Sequence, residues 1–207
     1  VKNAEQQIKP YLNLFKGSGY YWIAGGSIMS FFMDEEPNDV DFYFRNEEAL
    51  NKAITILIKR GFRVVENLDF GKKLVKKDSE YDLMYTQKTP QECISNFDIS
   101  VCCAAIDSNG IFYHHDKYFD HVGEKQLHYI GNSPNLNWLN KSLRLRKYLK
   151  KGFEINQKNL IFWLNKQESD QKMLWKKIRN GLPKEERGRV PPANQKKIKI
   201  VEKKLNL

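Results

Sequence analysis

A glycine pair closing a short apolar run, with an Asp-x-Asp pair beginning twelve residues after the serine that follows it, most limits how this chain can fold. Tyr20 to Ala24 is aromatic and β-branched and reads as a strand; it runs into Gly25-Gly26-Ser27 and a short apolar helix, Ile28 to Met33. Asp34-Glu35-Glu36-Pro37-Asn38 is a polar turn that no helix continues through, because Pro37 restricts the residue before it. Asp39 to Phe44 then alternates like a strand. Two strands therefore bracket one short helix, with the glycine turn and the two acids at neighbouring strand ends.

The rest of the first 134 residues extends this unit. A helix is expected up to about Phe15, with Ile8, Tyr11, Leu12 and Phe15 on one face. Leu50, Ala53, Ile54, Leu57 and Ile58 recur at helical spacing, with Glu47 and Glu48 in the first turn and Gly61 past the end. Phe62 to Glu66, Lys72 to Lys76, Tyr81 to Tyr85 and Asp98 to Ile106 read as strands, the last apolar enough to be buried on both faces. The order predicts an α+β fold, a mixed sheet with helices packed on one side. From Asp107 to about Pro134 the pattern is irregular; beyond it, helices are expected at Leu139 to Lys151, Gln157 to Gln167, Ser169 to Asn180 and from about Asn194. The expected division is a head, residues 1–134, and a small basic all-helical region, residues 135–207.

Charge follows the same division. Residues 1–143 carry 16 Lys+Arg against 19 Asp+Glu, a net of −3, and residues 144–207 carry 19 against 6, a net of +13. A basic surface beside an acidic lobe suits a polyanionic partner. Cys93, Cys102 and Cys103 fit neither a disulfide framework nor a zinc spacing and read as reduced thiols, and the longest apolar runs fall far short of a membrane span. The expectation is a cytoplasmic protein with no membrane partner.

Asp39 and Asp41 point to the same face of their strand, about 6–7 Å apart along the backbone, which suits joint ligation of divalent cations. Mg²⁺ takes oxygen ligands and completes its shell with water and phosphate oxygens. Glycine at a strand-to-helix turn lets backbone N–H groups approach phosphate closely; the helix N-terminus adds positive dipole and Ser27 a hydroxyl donor. Phosphate donors and metal ligands on adjacent strand ends are what phosphoryl transfer needs. His114, His115 and His121, with Asp116 and Asp120, lack a helical ligand framework and read as a polar loop; Trp138, Trp163 and Trp175 read as core.

Gly25-Gly26-Ser27 followed by Pro37-Asn38-Asp39-Val40-Asp41-Phe42 resembles the DNA polymerase β nucleotidyltransferase superfamily, and within it the head of class II CCA-adding enzymes and bacterial poly(A) polymerases. Ser142 to Ile155, with Arg144, Arg146 and Gly152-Phe153-Glu154-Ile155, is similar to the neck helix of those enzymes, displaced by about one residue. The resemblance implies a palm-like head using two Mg²⁺ ions, with Mn²⁺ an alternative. It implies Asp39 and Asp41 as metal ligands, Gly25, Gly26 and Ser27 as phosphate ligands, and Arg144 and Arg146 as nucleotide ligands. It also implies a third carboxylate on a neighbouring strand, for which Asp82 and Asp98 are both candidates, Asp82 being preferred. The acidic-plus-arginine motif by which class II enzymes choose CTP and ATP is not found after the neck. The implied activity is template-independent transfer of a nucleoside monophosphate from a nucleoside triphosphate, with an RNA 3′ end, of a tRNA or other small RNA, as acceptor. A protein or small-molecule hydroxyl is the alternative acceptor, and a catalytically idle RNA-binding module the alternative class.

Overall fold

The computed structural model describes residues 2–130 and 138–163. Its centre is one seven-stranded mixed sheet, ordered β3-β4-β5-β2-β1-β6-β7. The strands are β1 (Tyr21–Ala24), β2 (Val40–Phe44), β3 (Arg63–Leu68), β4 (Gly71–Lys76), β5 (Ser79–Tyr85), β6 (Ala104–Asp107) and β7 (Phe112–His114). Only β2 and β5 run parallel; the other neighbours are antiparallel.

The helices form where the sequence caps and patterns them. α1 (Lys2–Leu12) and α2 (Gly26–Phe32) pack on each other, and α2 lies on β1, β2 and β6. α3 (Glu47–Lys59) starts where the Asn46 side chain accepts from the Ala49 N–H and buries Ala49, Leu50, Ala53, Ile54 and Leu57. α4 (Pro90–Ile94) opens with a capping box between Thr89 and Glu92. α5 is Tyr118–Gly123, and α6 is Trp138–Lys150, closed by Gly152 at φ 80° with the Phe153 N–H reaching the Tyr148 carbonyl. Residues 157–163 are again helical.

The two faces of the sheet differ. Period-2 alternation sends Tyr21 and Ile23 of β1, and Val40, Phe42 and Phe44 of β2, into the large core under α2 and α3. Trp22 and Ala24 instead join Cys93 and Ile94 of α4 on the second face, where Trp22 stacks on Tyr43 with ring centroids 5.9 Å apart. The expectation of helices on one side only is thus corrected: α4 seals part of the other face with the apolar side chains of Cys93 and Ile94.

Three further expectations change. The apolar run from Asp98 to Ile106 is not one strand. A 3₁₀ turn at Ser100–Cys102 precedes β6, held by Cys102 and Cys103 N–H bonds to the carbonyls of Ile99 and Ser100. The segment after Asp107, read as irregular, contributes β7 and α5. The first helix stops at Leu12 rather than Phe15, and turns carry the chain to β1. The expected boundary near residue 134 and the helices beyond residue 163 lie outside the described residues.

Candidate active site

β1 and β2 are antiparallel, so the end of β1 lies beside the start of β2, and the register pairs Ala24 with Asp41. Gly25 follows at φ 93°, a conformation strained for any residue with a Cβ. A Cβ there would lie 3.2 Å from Asp41 Oδ2, so the glycine turn and the second aspartate are in direct proximity. On the other side of β2, the parallel pairing sets Asp41 opposite Asp82 of β5. Adjacent strands are about 4.8 Å apart, which places two carboxylates side by side on the second face, with Asp39 two residues before Asp41.

The electrostatics show what this crowding does. Burial, and then the charges of Asp39 and Asp82, push the Asp41 carboxyl up to about 7, against the opposing pull of Lys147 and Arg144. Asp82 is also raised, chiefly by burial. Nothing in folding calls for three acids here; a cation relieves their repulsion. Lysines from two elements do so in part. Lys147 Nζ of α6 lies 3.4 Å from Asp39 Oδ1. Lys73 Nζ of β4 lies 3.4 Å from Asp82 Oδ1 and is bonded more closely to Glu80. Asp82 Oδ1 is buried with that ion pair but without an aligned hydrogen bond. Among the described residues, no three His, Cys, Asp or Glu side chains converge closely enough to form a ready metal cage.

The other expected residues separate into distinct places. Ser27 is buried, and its Oγ has no hydrogen-bond partner. Gly26 lies under α6, where a Cβ would come within 2.9 Å of the Tyr148 hydroxyl. Asp98 is fully buried away from the β2–β5 pair, with Arg144 Nη1 2.9 Å from its Oδ1 as an ion pair. Arg144 also reaches Cys102 Sγ, which the Tyr148 hydroxyl approaches at 2.8 Å. Arg146 is exposed. Sequence reasoning missed Lys147, Lys73 and Lys151, although Arg144, Lys147 and Lys151 are spaced to form one stripe. Lys151 Nζ bonds Glu35 Oε2 at 2.8 Å and Ser30 Oγ at 3.1 Å.

The segment after α6 is part of this assembly. The Leu127 N–H bonds the Glu154 carbonyl at 2.7 Å, and the Glu154 N–H bonds the Lys125 carbonyl at 2.8 Å, so the chain after α6 is stitched to the head. No described helix is long and apolar enough to cross a membrane.

Comparison with known proteins places this architecture. A family model described as Gabija anti-defense 2 family protein matches residues 2–125. The protein named Gabija anti-defense 2 from Bacillus phage SPbetaL7 is 26% identical over 142 residues, covering 67% of this chain and 35% of that protein. A Thermotoga maritima CCA-adding enzyme complexed with tRNA superposes with a TM-score of 0.61 at 15% identity, over 81% of this chain and 45% of that one. A tRNA nucleotidyltransferase complexed with a primer tRNA and an incoming ATP analog gives 0.58 at 16% identity, over 79% of this chain and 49% of that one. A CCA-adding enzyme with CTP gives 0.59 at 16% identity, over 84% and 46%. The fold is that of the nucleotidyltransferase head; the chain spans about a third of the viral relative and less than half of these structures.

Proposed function

The chain belongs to the Gabija anti-defense 2 family, and from that premise we propose that it is a divalent-cation-dependent nucleotidyltransferase, moving a nucleoside monophosphate from a nucleoside triphosphate onto an acceptor hydroxyl and releasing pyrophosphate. The observation that carries this reading is the set of three mutually repelling carboxylates, of which Asp41 lies directly beside the Gly25 turn. A binding module has no use for a negative cluster next to a phosphate cradle, whereas a metal–triphosphate site needs both.

Asp39, Asp41 and Asp82 hold Mg²⁺, or Mn²⁺, in this reading. They are oxygen donors, Asp41 and Asp82 on two adjacent strands and Asp39 just before the first, with the repulsion that helps raise Asp41 available to be relieved. When bound, the cations supply neutralisation of the charge that develops on the α-phosphate. The chain's own groups do the rest. The Gly26 backbone N–H and the unpartnered Ser27 hydroxyl hold the distal phosphates, and so fix the α-phosphorus in line with the attacking oxygen, while the Gly25 N–H is taken by the Ala104 carbonyl and holds the turn against β6. Asp82, its carboxyl raised by burial, accepts the proton of the attacking hydroxyl. Asp98 is not part of that set; it is the buried counter-ion that orients Arg144 toward the nucleotide. Arg146, exposed, serves the polyanion rather than the triphosphate.

The acceptor in this reading is an RNA 3′ end. Support comes from the net +13 of residues 144–207, which suits backbone phosphates, and from the tRNA bound by the similar structures. The viral relative's name favours a second reading, in which the acceptor is a component of the Gabija defence itself. Protein incubated with α-labelled triphosphates, Mg²⁺ and a small-RNA pool, then separately with Gabija components, tests both. Label entering RNA supports the first acceptor and label entering a Gabija component the second; equal labelling by an Asp41→Ala variant overturns the enzymatic reading.

A further inference from the structure

The cationic stripe of α6 and the turn that follows it meets an acid at each position: Arg144 meets Asp98, Lys147 meets Asp39, and Lys151 meets Glu35. These three contacts are not alike. The Arg144–Asp98 contact is 2.9 Å with the acid sealed from solvent, and Lys151 holds both Glu35 and Ser30. Lys147 has the loosest contact of the three, 3.4 Å, and both partners keep about two-fifths of their side-chain surface in solvent (41% and 40%). Such a pair is weak and separates at little cost. Its acid is one of the three that crowd together at the start of β2.

Lys147 also faces a second feature. The crevice between α2 and α6 is lined by Ser27, Ser30, Asn38, Asp39, Lys147 and Lys151. One wall carries two ammonium groups, and Ser27 brings a buried hydroxyl with no partner. An orphaned buried donor beside two cations suits a phosphate oxygen. Lys147 thus lines a crevice it shares with an acid and with a hydroxyl still lacking an acceptor.

We propose that Lys147 is an exchangeable counter-ion: paired with Asp39 while the site lacks a divalent cation, it is displaced when one binds and turns to the phosphates of the incoming nucleoside triphosphate. This rests on the carboxylates being the cation site. Lys147 is then a competitor for the metal and a ligand for the nucleotide, so its removal has opposite effects on the two affinities. Lys73 behaves differently, because Glu80 retains it whether or not Asp82 is engaged.

The test measures Mn²⁺ binding by electron paramagnetic resonance without nucleotide, then binding of α,β-methylene-ATP with Mg²⁺, for the wild type, Lys147→Met, Lys147→Arg, Asp41→Asn and the exposed-site control Lys150→Met. Lys147→Met is expected to bind Mn²⁺ about threefold more tightly, from loss of an exposed competing charge, and the nucleotide about tenfold more weakly, from loss of a charge-assisted phosphate contact. Lys147→Arg retains most of both behaviours, and Lys150→Met matches the wild type. Unchanged or weaker Mn²⁺ binding in Lys147→Met, while Asp41→Asn has lost it, overturns the counter-ion role alone. The same shift in Lys150→Met also overturns it, since the effect would then be long-range charge. If the wild type and Asp41→Asn bind Mn²⁺ equally, the carboxylate site itself fails, a separate result.

Discussion

Strand β2 shows two regions of the molecule in five residues. Val40, Phe42 and Phe44 point into the core and are at most 2% exposed, packed with Phe15 and Tyr21. On the other face Asp41, with Asp39 just ahead of the strand, stands against Asp82, where burial and like charge raise its carboxyl. The first face contributes stability and no chemistry. The second costs stability, since ionising Asp41 there is disfavoured. A fold carries such a face only on a frame the other face holds rigid, which is why Asp41 and Asp82 lie on central strands, with Asp39 immediately before one.

The predictions break or sharpen that contrast. Asp41→Asn is expected to lower nucleotidyl transfer by about a thousandfold or more, since a group the transition state needs is lost, while leaving the metal-free protein folded. Its effect on stability has a definite sign. A carboxyl raised to about 7 in the folded state, from 3.8 when unfolded, binds more protons folded than unfolded between those values, so folding weakens as pH rises through that window. In thermal melts with EDTA, Asp41→Asn should therefore gain more over the wild type at pH 8 than at pH 4; an equal difference at both would mean the acids do not repel.

Phe42→Ala gives the reverse pattern. It removes a fully buried ring contacting Phe15 at a centroid distance of 5.0 Å, and should cost about 3–5 kcal/mol in denaturant unfolding, with nucleotide affinity kept while the protein remains folded. Gly25→Ala affects both faces. A Cβ at φ 93° and ψ −151° costs about 1–3 kcal/mol, and its contact with Asp41 Oδ2 should lower transfer more than that strain lowers the melting temperature. The smallest effect belongs to Arg146→Ala. Exposed on α6, it should change stability by less than about 0.5 kcal/mol and weaken RNA binding mainly through the salt dependence.

Much of this arrangement was legible in the chain. The aromatic run before Gly25, the alternation of Val40, Phe42 and Phe44, and the spacing of Leu50, Ala53, Ile54 and Leu57 are periodic signals strong enough to place β1, β2 and α3. The glycine turn and the Asp pair fell together because their strands are joined by a short helix, which makes them neighbours in the sheet. The run from Ile99 to Ile106 reads as one strand because residues 99–105 are all buried, and a largely apolar run without alternation does not distinguish strand from buried turn. Helix α4 was missed although Thr89-Pro90-Gln91-Glu92 is a capping-box pattern, because five residues show too little periodicity to call attention to the cap.

Arg144 and Arg146 illustrate a different limit. Two residues apart on a helix they diverge by about 200°, whereas Arg144, Lys147 and Lys151 fall within about 60° of one another. The helical reading of Leu139 to Lys151 was thus enough to separate the two arginines and to group the lysines with Arg144. Which acid each cation meets was not available, because Asp98, before the 3₁₀ turn, and Glu35 and Asp39, in the loop between α2 and β2, are distant in sequence from α6 and are brought to it only by the fold.

The most direct test of the carboxylate face uses a triphosphate labelled at both the α and γ positions, with Mg²⁺ and the acceptor pool. Attack at the α-phosphorus predicts α-label joined to the acceptor and γ-label recovered as pyrophosphate in equal amounts, both lost in Asp41→Asn. Release of γ-label as orthophosphate without α-label on any acceptor, or transfer that survives in Asp41→Asn, would contradict the account.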